Sequence, residues 1–316
     1  MIIPVHGLNA IAEERGMSLV SGWARQVKSS WDALLGRSLL SGISVVVALG
    51  LPAQALQVEI KPENPQLGDT LSIVVENDPG ETEAPTVEIG SQTYPVFAIG
   101  GNRFRALFPT TPLDEPGRQV VRVTGGEEVR NLAVWVGDRS FPTQSIWLPP
   151  DKEDLQGTDY EFDRVDEFKE LVTPQKFWNG PFLRPNNGVV TTIFGVRRYY
   201  NGVFAEDYYH RGVDYGGASG SAVVAPAGGR IALVGREADG FEIHGNTVGI
   251  DHGQGVLSIL IHLSRIDVKE GDIVKAGQIV GGVGSTGAST GPHLHWGLYV
   301  HGRAVDPVPW RFEGFE

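Results

Sequence analysis

After Phe182 the chain has no amphipathic stretch of useful helical length, and its apolar residues fall instead into short β-forming runs closed by glycine. Strands are expected at Val189–Phe194, Ala222–Ala225, Gly229–Glu237, Thr247–Asp251, Val256–His262, Ile279–Val283 and His293–Val300. Short runs bounded by tight glycine turns predict an antiparallel sheet domain over 188–316.

The preceding region carries the same signal in a smaller format. Val-, Ile-, Thr- and Phe-rich runs recur at Leu56–Ile60, Thr70–Glu76, Thr86–Ile89, Thr93–Ala98, Arg103–Pro109, Gln119–Thr124 and Glu128–Val136. Turn clusters such as Asn64-Pro65 and Gly100-Gly101-Asn102 separate them. Seven strands at that spacing predict an Ig-like β-sandwich over 56–137, so the fold class is all-β. The sandwich contains no histidine, and it reads as a spacer or docking module. Residues 138–187 read as a linker with one short helix over Arg164–Val172, where Val165, Phe168 and Val172 share a face.

Residues 1–55 read as a signal peptide. Leu39–Leu51 is an apolar run preceded by Arg25, Lys28 and Arg37 and followed by Ala53-Gln54-Ala55, an A-x-A pattern. A membrane span needs about 20 apolar residues, so this run is short for an anchor. Cleavage after Ala55 would leave a mature chain without a membrane span, secreted to the periplasm or the extracellular face of the envelope.

The formal charge of −12, with no Lys/Arg-rich block, excludes nucleic acid as a natural partner. The absence of cysteine excludes thiolate metal sites, so His, Asp or Glu must hold any metal. Three histidine settings answer to that. His210 and Asp214 form an H-x-x-x-D, His293 and His295 form an H-x-H, and His262 stands on another apolar strand. On a strand, residues two apart share a face, so His293 and His295 project together while Leu294 and Trp296 turn into the core. Two His and one Asp, plus water, satisfy a tetrahedral zinc ion. His244, His252 and His301 stand beside Gly or Asp and read as surface or turn residues.

These motifs resemble the lysostaphin/LytM family of zinc metallopeptidases, whose signature is H-x-x-x-D followed downstream by H-x-H. Phe194-Gly195-Val196-Arg197, Gly271–Gln278, Gly284–His295 and Val305-Asp306-Pro307 are similar in the same order. Asn64–Asp69 is similar to an accessory domain that precedes some members. The resemblance implies a catalytic domain of the duplicated hybrid motif type. It further implies Zn2+ held by His210, Asp214 and His295, and His262 and His293 as unliganded catalytic groups. The implied substrate is the peptide of bacterial peptidoglycan, with cell-envelope proteins as further partners. One departure is Leu260, where relatives often carry tyrosine two residues before the equivalent of His262.

Two other classes compete. A noncatalytic regulator of the same fold would bind the wall or activate amidases, but such proteins usually lose ligands, and all five positions are filled here. A lipoyl- or biotinyl-carrier is suggested by Val268–Gln278, yet Lys269 and Lys275 flank a Gly-Asp turn rather than a carrier hairpin.

Overall fold

Proline at position 95 lacks a backbone N–H and cannot continue a ladder, and here it divides one expected strand into two that belong to different sheets. The computed structural model describes residues 56–77, 80–81, 83–147 and 156–315. The expected signal segment therefore lies outside the described residues. Upstream, β1 (Gln57–Lys61), β2 (Thr70–Glu76), β3 (Thr86–Ile89), β4 (Gln92–Tyr94), β5 (Val96–Gly100), β6 (Arg103–Pro109), β7 (Gly117–Gly125) and β8 (Glu128–Val136) follow in order. They form two four-stranded antiparallel sheets, β1-β2-β6-β5 and β4-β3-β7-β8. Leu71, Ile73 and Phe108 of the first sheet share a buried core with Val87, Val121 and Val123 of the second.

The connector contributes β9 (Thr143–Ile146) and one helix, α1 (Asp159–Lys169). The helix begins five residues earlier than the apolar spacing suggests, because Thr158 caps it by accepting from the Glu161 N–H at 3.0 Å. Val165 and Phe168 are buried as expected, whereas Val172 lies beyond the helix and is exposed. Phe168 fits against Gly249, where any Cβ would press on its ring. Phe168→Ala is therefore expected to destabilise the chain by about 3–5 kcal/mol, readable as a lowered urea midpoint at unchanged slope.

Beyond the connector run β10 (Val189–Thr192), β11 (Arg197–Tyr200), β12 (Val203–Phe204), β13 (Val213–Gly216), β14 (Ala222–Val224) and β15 (Gly229–Gly235). They are followed by β16 (Asn246–Gly253), β17 (Val256–Ile266), β18 (Ile273–Val274), β19 (Ile279–Val283), β20 (His293–Val300) and β21 (Arg303–Val305). The principal sheet has the order β10-β13-β20-β17-β16-β15-β18, with β19 joined to β17 and β14, and β21 to β20. Its pairings are antiparallel, whereas β9 pairs in parallel with β11. The central strand β17 is almost entirely buried, which explains its unbroken run Val256–Leu263 with little polar alternation.

The sandwich is not a detached spacer. Arg105 of β6, fully buried, donates to the Phe315 carbonyl and to Gln254 Oε1, both at 2.6 Å, and lies over the Trp178 ring. Trp310 Nε1 donates to Thr70 Oγ1 at 3.2 Å, and Arg303 pairs with Asp114 at 2.5 Å. Arg303 lies on β21 opposite Val300, the end of β20 away from His293.

Candidate metal centre

β20 lies between β13 and β17, and the register sets the site. Asp214 on β13 is directly opposite His295 on β20, and Gly216 is opposite His293. Directly opposed residues on neighbouring antiparallel strands carry Cβ atoms about 4.5–5.5 Å apart on the same face. Leu294 and Trp296 point to the other face and are fully buried, anchoring the strand. His210 arrives on the loop before β13, with its N–H on the Val196 carbonyl (2.8 Å) and its own carbonyl accepting from Gly195 N–H (2.9 Å). The loop then crosses tightly over β20 at Gly212, where a Cβ would overlap the Trp296 carbonyl.

Three side-chain atoms converge. His210 Nε2 is 2.9 Å from Asp214 Oδ1 and 3.0 Å from His295 Nδ1, and His295 Nδ1 is 2.9 Å from the same carboxylate oxygen. All three ligand atoms lie within 4.8 Å of one another. His210 Nδ1 donates to the Ile193 carbonyl at 2.8 Å, so in the neutral ring Nε2 carries only a lone pair. Burial alone would raise the Asp214 pKa, but the His210 and His295 rings beside it outweigh that and hold the carboxyl far below the usual range. Burial pushes His295 down to about 4. Two imidazoles and a carboxylate, drawn together at one point, fit a divalent cation with nitrogen and oxygen ligands. Three protein ligands leave a tetrahedral cation one further position.

The other two expected residues stand beside this cluster. The His262 and His293 ring centres are 4.9 Å apart, and His262 is 6.5 Å from His295. His262 adopts φ +64°, a left-handed conformation uncommon outside glycine. Its Nδ1 donates to the Thr286 carbonyl at 2.9 Å, and His293 Nδ1 donates to the Gly291 carbonyl at 2.8 Å. A carbonyl only accepts, so the neutral form of each ring has Nδ1–H and a bare Nε2. His293 Nε2 is 4.0 Å from Asp214 Oδ1. Burial, with His293 and His295 nearby, lowers the His262 pKa to about 3, so that ring is neutral at pH 7.

Two neighbours escape notice in the sequence. Arg198 on β11 points a guanidinium nitrogen to 4.0 Å from Asp214 Oδ2 and bonds Tyr200 and Tyr208. Glu161, in α1, binds residues 242–244 behind His262. The reading of His252 as a surface or turn residue is corrected. It is fully buried in β16, where its ring reaches the Gly228 carbonyl at 2.7 Å and Ser258 Oγ at 2.9 Å. His301 is in a turn as expected, yet both its ring nitrogens are buried without a hydrogen-bond partner, against Tyr94. His244 is in a turn as well, but its Nδ1 is bound to Glu161 at 2.6 Å. Leu260 is wholly buried in the sheet opposite Trp296, so that position offers His262 no polar support.

A His-Asp-His cluster on an antiparallel sheet, flanked by two imidazoles with free Nε2 atoms, is the equipment of a metallopeptidase. The sequence profile of Peptidase family M23 matches residues 208–307, and this segment is an M23 peptidase domain. The chain is 43% identical over 99 residues to the DD-carboxypeptidase/endopeptidase Mpg of Neisseria meningitidis, covering 31% of this chain and 22% of that protein. It is 43% identical over 105 residues to lysostaphin of Staphylococcus simulans, covering 32% of this chain and 21% of the relative. The chain thus spans between about a fifth and a third of the length of the curated relatives it matches. A crystal structure from Pseudomonas aeruginosa assigned to peptidase M23 aligns with a TM-score of 0.58 at 27% identity. That alignment covers 79% of this chain and 96% of the other, a span too long to be confined to residues 208–307.

Proposed function

We propose that the protein is a secreted zinc metalloendopeptidase that hydrolyses peptide cross-links of bacterial peptidoglycan. The observation that carries this reading is the convergence of His210 Nε2, Asp214 Oδ1 and His295 Nδ1 within 3.0 Å of one another, with two free imidazole nitrogens alongside. Those three atoms would hold the zinc. Bound there, zinc supplies a Lewis acid for the scissile carbonyl and lowers the pKa of water to about 7. His262 and His293 do the proton work. Between them their Nε2 atoms accept the proton of the attacking water and return one to the leaving amine. Once protonated, an Nε2 becomes a donor and stabilises the developing oxyanion.

The substrate class is supported by relatives named DD-carboxypeptidase/endopeptidase Mpg and murein hydrolase activator NlpD. Secretion rests on Arg25, Lys28 and Arg37 ahead of Leu39–Leu51 and on the Ala53-Gln54-Ala55 pattern. Among the described residues no helix is long and apolar enough to cross a membrane.

Digestion of purified peptidoglycan by the mature chain, with and without chelator, tests the reading by mass analysis of the released fragments. The expected result is new amine termini within peptide stems or bridges, abolished by chelator and restored by Zn2+. Wall binding or amidase activation without any such cleavage would favour the noncatalytic regulator instead.

A further inference from the structure

Glu161 is charged and wholly buried, and it lies outside the M23 segment. One carboxylate oxygen accepts from the His244 N–H and the His244 Nδ1–H, both at 2.6 Å, and from the Ile243 N–H at 3.1 Å. The other accepts from the N–H groups of Glu242 and Ile243 at 3.1 Å. Removing a carboxylate from water costs several kcal/mol unless its lone pairs are used. Burial would raise the Glu161 pKa, but the bonds from His244 and Ile243 prevail and keep it below the ordinary glutamate value. The same helical turn grips the loop twice more. Thr158 Oγ1 donates to the Gly240 carbonyl at 2.8 Å, and the Tyr160 ring meets Phe241 edge-on at 6.0 Å.

The gripped loop backs directly onto His262. The His244 carbonyl accepts from the His262 N–H at 3.0 Å, and the Ile243 carbonyl accepts from the Ala288 N–H at 2.9 Å. Asn246 N–H donates to Thr286 Oγ1 at 2.9 Å, and Gly245 stands where a Cβ would collide with Thr286. Residues 243–246 thus touch both the backbone of His262 and the turn that presents the Thr286 carbonyl to its Nδ1. Both supports matter because His262 holds a left-handed backbone, φ +64°, that is costly without surrounding restraint.

We infer that Glu161 is a positioning residue: by fixing the loop 242–244 it sets the His262 backbone and the Thr286 carbonyl together, and so holds His262 with Nδ1–H bound and Nε2 bare toward the metal cluster. Its effect on rate rests on the hydrolase reading above, whereas its effect on the His262 tautomer does not.

The test uses the zinc-loaded mature chain, labelled with 15N in histidine, as wild type, Glu161→Gln and Glu161→Ala. Imidazole 15N shifts report the tautomer, with the His262 signals identified by their loss in His262→Asn. Zinc per chain is counted, and kcat and KM are measured on soluble peptidoglycan fragments. In Glu161→Gln, which keeps the shape but offers one acceptor oxygen in place of two, His262 is expected to show mixed tautomers. Zinc content and KM are expected to stay level while kcat falls about 10-fold, the scale on which outer supports act. Glu161→Ala is expected to do the same more strongly; should it fail to fold, the isosteric variant decides. A Glu161→Gln chain with the wild-type His262 tautomer overturns the inference. So does one that loses activity only in proportion to zinc, or one that loses its fold. If the wild-type chain cuts nothing, the hydrolase reading falls and the tautomer measurement alone decides the role of Glu161.

Discussion

Asp214→Ala is expected to strip the bound zinc, with affinity falling by more than the 10- to 100-fold typical of outer-shell changes, and to abolish hydrolysis with it. Asp214 supplies the only carboxylate of the cluster, and its Oδ1 is the atom that both His210 Nε2 and His295 Nδ1 face at 2.9 Å. Without it, two neutral imidazoles would have to hold a dication in a buried setting, where an uncompensated charge is costly. Asp214→Asn keeps the volume and removes the charge, so it should fail nearly as badly; His210→Ala should fail too. Metal analysis after dialysis reads the result, and circular dichroism separates metal loss from unfolding. Retention of one zinc per chain in Asp214→Ala would remove the carboxylate from the ligand set.

The sequence made this centre legible because strand geometry acts over two residues. His293 and His295 share a face whatever the rest of the fold does, and Leu294 and Trp296 mark the opposite face. The partners were harder to place. Asp214 belongs to a strand of only four residues, Val-Asp-Tyr-Gly, too short for any periodicity to announce. Its place opposite His295 is a matter of register between strands some 80 residues apart, which local pattern does not encode. His252 misleads local reading for a related reason. Asp251 and Gly253 on either side resemble a turn, yet β16 is held on both edges and buries all three. Pro95 did carry a readable signal, because a residue without an N–H is misplaced inside the single strand expected over Thr93–Ala98.

The helix shows how a correct local signal can hide a different use. Thr158-x-x-Glu161 has the spacing of a capping box, in which the glutamate would reach back to the cap's own N–H. Thr158 does its half, but Glu161 turns away to residues 242–244. A tertiary partner offering four donor groups outcompetes a single local one. No local rule predicts that, because the partner loop is some 80 residues distant in sequence.

His262→Ala is expected to leave zinc at one per chain and KM little changed while kcat falls by about 100- to 10,000-fold, the range of general acid–base catalysis. The separation follows from the bonds on the ring. His262 Nδ1 is committed to the Thr286 carbonyl, and its ring centre stands 6.5 Å from that of His295, outside the three-atom cluster. Loss of the ring therefore removes a proton acceptor and no ligand. Backbone conformation requires a control, since His262 sits at φ +64° and a substitution there could shift the strand as well as delete the imidazole. Asparagine tolerates that region better than most residues, so His262→Asn keeps the backbone at lower cost while offering no comparable base. If loss of the imidazole is what matters, both variants fall by similar factors. Recovery of most of the activity in His262→Asn would assign the defect to the backbone, and loss of zinc in either variant would place His262 among the ligands.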